Sequence, residues 1–259
     1  MQANLNGKVA IVTGSSQGIG RAIALRFAEN GADVVVNARS SGPALEVLRQ
    51  IESLGRKARY EQADISDYHQ VKQMVDNTIH EFGKIDIMVA SGAAAGPPPQ
   101  LFYQLDPQSY MDCITSHLLT RLYCIRAVLG HMMERRGGKI VAVSTDAGRT
   151  PTPGESLIGG AAAALVLMTR ALAQEMSRSQ IRINTICITV TRDTPGWDKA
   201  MSDDTTYLFK MFKKVEERVP FGLNRPDDIA QLALFLASDD SNQITGQVFS
   251  INGGLSFPG

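Results

Sequence analysis

The chain has 259 residues, 44% hydrophobic and 20% charged, which is enough to bury one large α/β core and too little to divide comfortably into two. Its 26 basic and 26 acidic residues cancel and are spread along the chain, so there is no electrostatic footprint for nucleic acid or an anionic membrane, and small molecules and proteins remain as partners. The polar start MQANLNGK is not a secretory signal, and no apolar run reaches the roughly 18–20 residues of a membrane span. Cys113, Cys124 and Cys187 have no metal-ligand spacing and leave an odd thiol, which fits a cytoplasmic protein without a metal site.

Val9–Val12 is an apolar run followed by TGSSQGIG (residues 13–20) and then by Ala22, Ile23, Leu25, Phe27 and Ala28 at helical spacing up to Gly31. This reads as strand, glycine turn, helix. Gly14, Gly18 and Gly20 let the backbone approach a pyrophosphate, with Ser16 and Ile19 in the same turn and free N–H groups at the helix start. With a second strand at 34–37 close behind, the pattern predicts a single-domain α/β fold over 1–259, a doubly wound nucleotide-binding (Rossmann) sheet. A turn kept only because the fold needs it would look the same, and both readings stand.

After the second strand, Ala38 stands where a carboxylate would grip the ribose of NAD, and Arg39 follows. Arg39 either pairs with a 2′-phosphate, favouring NADP(H), or is a solvated charge. Next come a helix at 42–54, a strand at Ala58–Gln62 leading to Asp64 and Ile65 on the nucleotide side, a helix at Tyr68–Phe82 and a strand at 85–90. Three consecutive prolines, Pro97, Pro98 and Pro99, make 91–100 a loop. A long helical pattern covers 107–135, Gly137 and Gly138 end it, and 139–144 is a strand.

Residues 143–172 read as a strand end, a Gly/Pro-rich loop and a helix of small residues continuing through 165–174, and from Ile158 to Ala164 nothing titrates. Ile181–Ile188 is a buried strand. Residues 189–214, with Trp197, are long enough for a mobile cover, although Trp197 also suits an ordinary hydrophobic plug. A helix at 226–238 and a strand at 247–254 complete the chain.

The glycine turn, Asp64–Ile65, the helix phrase at 165–170, IRIN at 181–184, RPDDIA at 225–230 and ITGQVFSINGG at 244–254 together resemble the short-chain dehydrogenase/reductase family over nearly the whole chain. The resemblance implies a seven-stranded parallel sheet with helices on both faces, and a dimer or tetramer built through the two long helices and the last strand. Members of that family use a Tyr as proton donor, a Lys four residues on that lowers its pKa from about 10 and holds the ribose, a Ser that orients the substrate and an Asn that keeps a relay water. By the resemblance, these positions fall on Ile158, Ala162, Thr145 and His117. The family's Asn-Asn-Ala-Gly turn reads Ala90-Ser91-Gly92-Ala93, and its Pro-Gly pair reads Ile188-Thr189.

A positioned general acid contributes about 10²–10⁴ in rate, so a chain lacking the phenol and its amine is expected to be catalytically silent. The expectation is a subunit paired with an active homologous chain, in a heteromer that oxidises a β-hydroxyacyl-CoA with NAD held by the partner; Arg39 then conflicts with NAD unless this chain holds no nucleotide. Two rivals remain. In one, His117 serves altered acid-base chemistry, with Asp146, Arg149 and Glu155 as neighbours; in the other, the chain is a homo-oligomeric binding or regulatory protein and His117 fills a subunit contact. His69, His80 and His131 lie among polar helix neighbours and read as surface residues.

Overall fold

Seven segments, all but the edge strand ARYEQ rich in aliphatic side chains, pair in parallel in a computed structural model that describes residues 3–257; the two residues at each end of the expected 1–259 domain lie outside the described residues. They are β1 (Val9–Val12), β2 (Asp33–Ala38), β3 (Ala58–Gln62), β4 (Ile87–Ala90), β5 (Gly138–Thr145), β6 (Ile181–Ile188) and β7 (Val248–Ile251), in the order β3-β2-β1-β4-β5-β6-β7. An all-parallel sheet must be covered on both faces, which is why β1 is an unbroken buried run rather than an alternating one. Val34 and Val36 point into one core with Phe27, Ile51, Ile229 and Leu234, while Val35 points into the other with Met74, Met88, Ile125 and Ile140. The helices α1 (Gly18–Glu29), α2 (Ser41–Ser53) and α9 (Pro226–Ala237) close the first face; α3 (Tyr68–Phe82), α5 (Thr120–Glu134) and α6 (Ser156–Met176) close the second. The order reverses between β1 and β4, so a crevice opens beyond their carboxyl ends, where ligands bind in such folds.

Strong local signals give sharp boundaries. Asp67 accepts a hydrogen bond from the His69 N–H at the start of α3, and Gly83, at φ 75°, ends it. The helix expected over 107–135 is interrupted. It consists of a 3₁₀ turn (Pro107–Ser109), α4 (Tyr110–Ile114), a π-helical turn (Thr115–Leu119) and α5. The Ser116 carbonyl accepts from Thr120 Oγ1 at 3.0 Å and from Arg121 Nη1, so side chains compete for the acceptor that an α-helical ladder would use.

The segment at 189–214 carries α7 (Pro195–Met201) and most of α8 (Tyr207–Arg218), each N-capped by a threonine, Thr194 and Thr206. Two further expectations, the lack of a membrane-length apolar run and a last strand over 247–254, need correction. Residues Ser156–Ser179 are, by length and composition, apolar enough to cross a membrane, because only Arg170, Glu175 and Arg178 interrupt them with charge. One side of this helix packs in the fold through Ala162, Leu165, Val166, Thr169 and Ala173. The last strand stops at Ile251, where Gly253 and Gly254 turn the chain at φ 58° and 81°.

Candidate functional site

A cleft of about 690 Å³ lies beyond the carboxyl ends of the strands. Its outer end is the glycine turn with Asn37, Ala38, Arg39, Asp64 and Ile65. The turn is fixed by backbone contact. A methyl group on Gly14 would lie 2.5 Å from Gly92 Cα, and one on Gly20 would overlap the Gly14 carbonyl oxygen. Asn37 braces it by accepting from Gly14 N at 3.3 Å and donating to the Glu61 and Ala63 carbonyls at 3.2 and 3.1 Å. Gly18 takes φ +55° at the start of α1, and a methyl there would lie 3.4 Å from Pro195 Cδ and 3.6 Å from Thr194 Cγ2, so the start of α7 covers the turn. Asp64 is held below the usual carboxylate range by hydrogen bonds from Ser66. Arg39 is exposed, and its carbonyl accepts from Gln62 Nε2.

The inner end is lined by Ser91, Gly92, Ala93, His117, Arg121, Thr145 and Glu155. His117 sits in the π-helical turn, and its imidazole is pushed down to about 4 by burial, with the Arg121 charge adding to the effect. Burial raises the Glu155 carboxyl to about 7. Thr145 Oγ1 accepts from Ala147 N at 3.3 Å. The structure separates the four positions marked by the resemblance. His117 and Thr145 line the cleft; Ile158 is buried and faces a second, small cavity beside Pro97, Phe102 and Cys113; Ala162 is fully buried, packed under Gly148.

Of the neighbours expected around His117, Asp146 is committed elsewhere. It accepts from Ser250 Oγ, from Asn252 Nδ2 at 2.6 Å and from Ser256 Oγ at 3.0 Å, tying the end of β5 to the C-terminal segment. Arg149 reaches the same segment, donating to the Val248 carbonyl and Ser250 Oγ. Trp197 lines the cleft and stacks on Phe212, ring centroids 6.1 Å apart, with Arg192 at 5.8 Å from its ring. Sequence reasoning missed Arg121, which looked like one charge in an amphipathic helix; its spacing of four from His117 was the available signal.

A family model described as enoyl-(acyl carrier protein) reductase matches residues 14–256. The chain is 37% identical to (2S)-[(R)-hydroxy(phenyl)methyl]succinyl-CoA dehydrogenase subunit BbsD of Thauera aromatica, over 97% of this chain and 98% of that protein. The chain is a short-chain dehydrogenase/reductase. Another such relative, the 3-oxoacyl-[acyl-carrier-protein] reductase FabG of Thermotoga maritima, is 30% identical over 97% of this chain and 98% of its own. Among solved structures, 7α-hydroxysteroid dehydrogenase complexed with NADH and 7-oxo glycochenodeoxycholic acid superposes with TM-score 0.88 at 27% identity, over 97% of this chain and 95% of that one. Dinucleotide binding is thus a property of this short-chain dehydrogenase's relatives, and its own residues meet it unevenly. The outer end offers backbone N–H groups, Arg39 and Asp64 to an adenylate half. The inner end presents no phenol and no ammonium among the described residues lining the cleft, so it does not meet the family's chemistry around a nicotinamide half.

Proposed function

We propose that this chain is a non-catalytic short-chain dehydrogenase/reductase subunit that supports an active homologous subunit in a heteromeric NAD-dependent dehydrogenase. The complex oxidises a β-hydroxyacyl-CoA of the 2-(α-hydroxybenzyl)succinyl-CoA type, and NAD belongs in the partner's cleft. One observation carries the reading: at the positions of the family's proton donor and ammonium stand Ile158 and Ala162, both buried outside the cleft, and no described tyrosine or lysine lines it in their place. Tyr207, just outside the cleft, donates its phenol to the Pro153 carbonyl at 3.1 Å. The relative BbsD is itself named as a subunit of such a dehydrogenase.

The outer face of α6 supports a partner of the same fold. Gly160, Ala163, Leu167 and Ala171 repeat at helical spacing on its exposed side, with Met168 beside them, and Leu167 is 68% exposed. Small and aliphatic side chains in that register suit a second long helix packed alongside, a contact that closes at a dimer, and a tetramer then uses a second surface. All three cysteines are buried and free, in keeping with a reducing cytoplasm. Altered chemistry at His117 has less support, because no hydrogen bond orients the imidazole among the described residues.

The test is to purify this chain natively, alone and co-expressed with a homologue bearing the tyrosine and lysine. Mass measurement of each assembly and NAD reduction with a β-hydroxyacyl-CoA then decide. A mixed assembly whose activity needs the homologue supports the proposal; a homo-oligomer that oxidises the substrate unaided overturns it.

A further inference from the structure

Arg121 is a buried cation that the proposed supporting role does not use. Its residue is 7% exposed; Nε donates to the Val143 carbonyl at 3.2 Å, and Nη1 to Thr120 Oγ1 at 2.9 Å and to the Ser116 carbonyl. All three acceptors are neutral. Among the described residues no carboxylate pairs with it, and Glu155, on the wall of the same cleft, is not among the charges that act on it. Burial lowers the guanidinium to about 10, which leaves it cationic at neutral pH. A cation held inside a protein without a counterion is costly, and an anion that meets it there is correspondingly favoured.

The remaining nitrogen, Nη2, donates to nothing among the described residues and is not sealed from solvent, while Arg121 lines the cleft. The open donor therefore belongs to the cavity. The same cleft presents the apolar side chains of Ala93, Val143 and Ile188 and the Thr145 hydroxyl, and the His117 that feels the Arg121 charge is uncharged at neutral pH. The other basic side chains of the cleft, Arg39 beside the glycine turn and Arg218 on α8, are not among the charges that act on Arg121. One positive charge in an apolar recess matches one negative charge better than the two of a phosphate monoester.

We infer that the inner end of the cleft binds the carboxylate of a small organic acid through Arg121, with the apolar part of the acid against Val143 and Ile188. This site concerns the chain's own cleft and does not depend on whether a partner subunit exists.

The test uses the full chain titrated calorimetrically with hexanoate, hexanamide and inorganic phosphate, for the wild type, Arg121→Met and Arg121→Lys. The expected result is that hexanoate binds the wild type at least tenfold more tightly than hexanamide and phosphate does not displace it. Arg121→Met should lose at least tenfold in hexanoate affinity while keeping that for hexanamide, and Arg121→Lys should fall between. Equal binding of hexanoate and hexanamide, no binding of hexanoate, or unchanged hexanoate affinity in Arg121→Met overturns the inference; displacement by phosphate overturns the choice of carboxylate. The acid-against-amide comparison on the wild type decides the matter even where Arg121→Met does not fold.

Discussion

The two ends of the cleft are built in different ways. At the outer end the glycines are locked by the fold itself: Gly14 abuts Gly92, Gly92 abuts Ile65, and Gly20 sits on the Gly14 carbonyl. The inner end has no such backbone lock at the family's chemical positions, where Ile158 and Ala162 are buried away from the cleft on α6. A glycine motif between β1 and α1 is therefore evidence for backbone packing first and for a nucleotide second. The inner end is the part that reports on chemistry.

The sharpest way to break this comparison is Gly20→Ala. Its methyl group would meet a backbone oxygen that cannot swing aside, so a loss of about 3 kcal/mol is expected. For a domain of this size that lowers Tm by roughly 6–12 °C, measured by thermal denaturation without any nucleotide. Gly42→Ala is the control: nothing lies within 4 Å of the added methyl in α2, and a helix-propensity gain of about 0.5–1 kcal/mol is expected. A Gly20→Ala protein as stable as the wild type would mean that the turn is kept for a ligand after all.

The inner end predicts opposite pH dependences from two groups on its wall. Glu155 is raised from its ordinary 4.5 to about 7, so the folded state holds a proton that the unfolded chain has released. Its contribution is fully present below pH 4.5 and is lost as pH rises through 7, a change of at most about 3 kcal/mol. Glu155→Gln should flatten that decline in urea midpoints measured between pH 5 and 8. His117 is lowered from 6.5 to about 4, so its contribution is present above pH 6.5 and lost as pH falls through 4. His117→Asn should flatten the acid limb by a similar amount, at most about 3 kcal/mol, since its shift is of the same size in the opposite direction. An unchanged acid limb in His117→Asn would place the imidazole in solvent.

Sequence reading reached β1 and α3 because each carries a strong local cause, an unbroken apolar run in β1 and a capping aspartate and glycine around α3; β3 (ARYEQ) and β6 (IRINTICI) were placed by their position between helical segments rather than by an apolar run. It missed the π-helical turn, since side-chain competition for the Ser116 carbonyl leaves the spacing of apolar residues unchanged. The amphipathic pattern of α8 and Pro195 at the start of α7 were visible in the sequence, but a segment read as a single cover was not divided into two helices at their capping threonines. The site divided in the same way: Thr145 and His117 were placed on the cleft by counting along the family's motifs, but the uncompensated charge of Arg121 depends on which carboxylates are absent nearby, and that is a property of three dimensions.

The smallest expected effect tests the outer end directly. Arg39 is exposed and no ion pair holds it among the described residues, so Arg39→Ala should move stability by less than about 0.5 kcal/mol. Were Arg39 to grip a 2′-phosphate, the charge-assisted contact would contribute about 1.5–3 kcal/mol, and the wild type would bind NADPH at least tenfold more tightly than NADH. A glycine turn retained for packing gives neither effect: NADPH and NADH shift Tm equally little, before and after the substitution. A preference for NADPH that vanishes in Arg39→Ala would instead make the outer end a working nucleotide site, and the loss of chemistry at Ile158 and Ala162 would then have to be explained without an idle turn beside it.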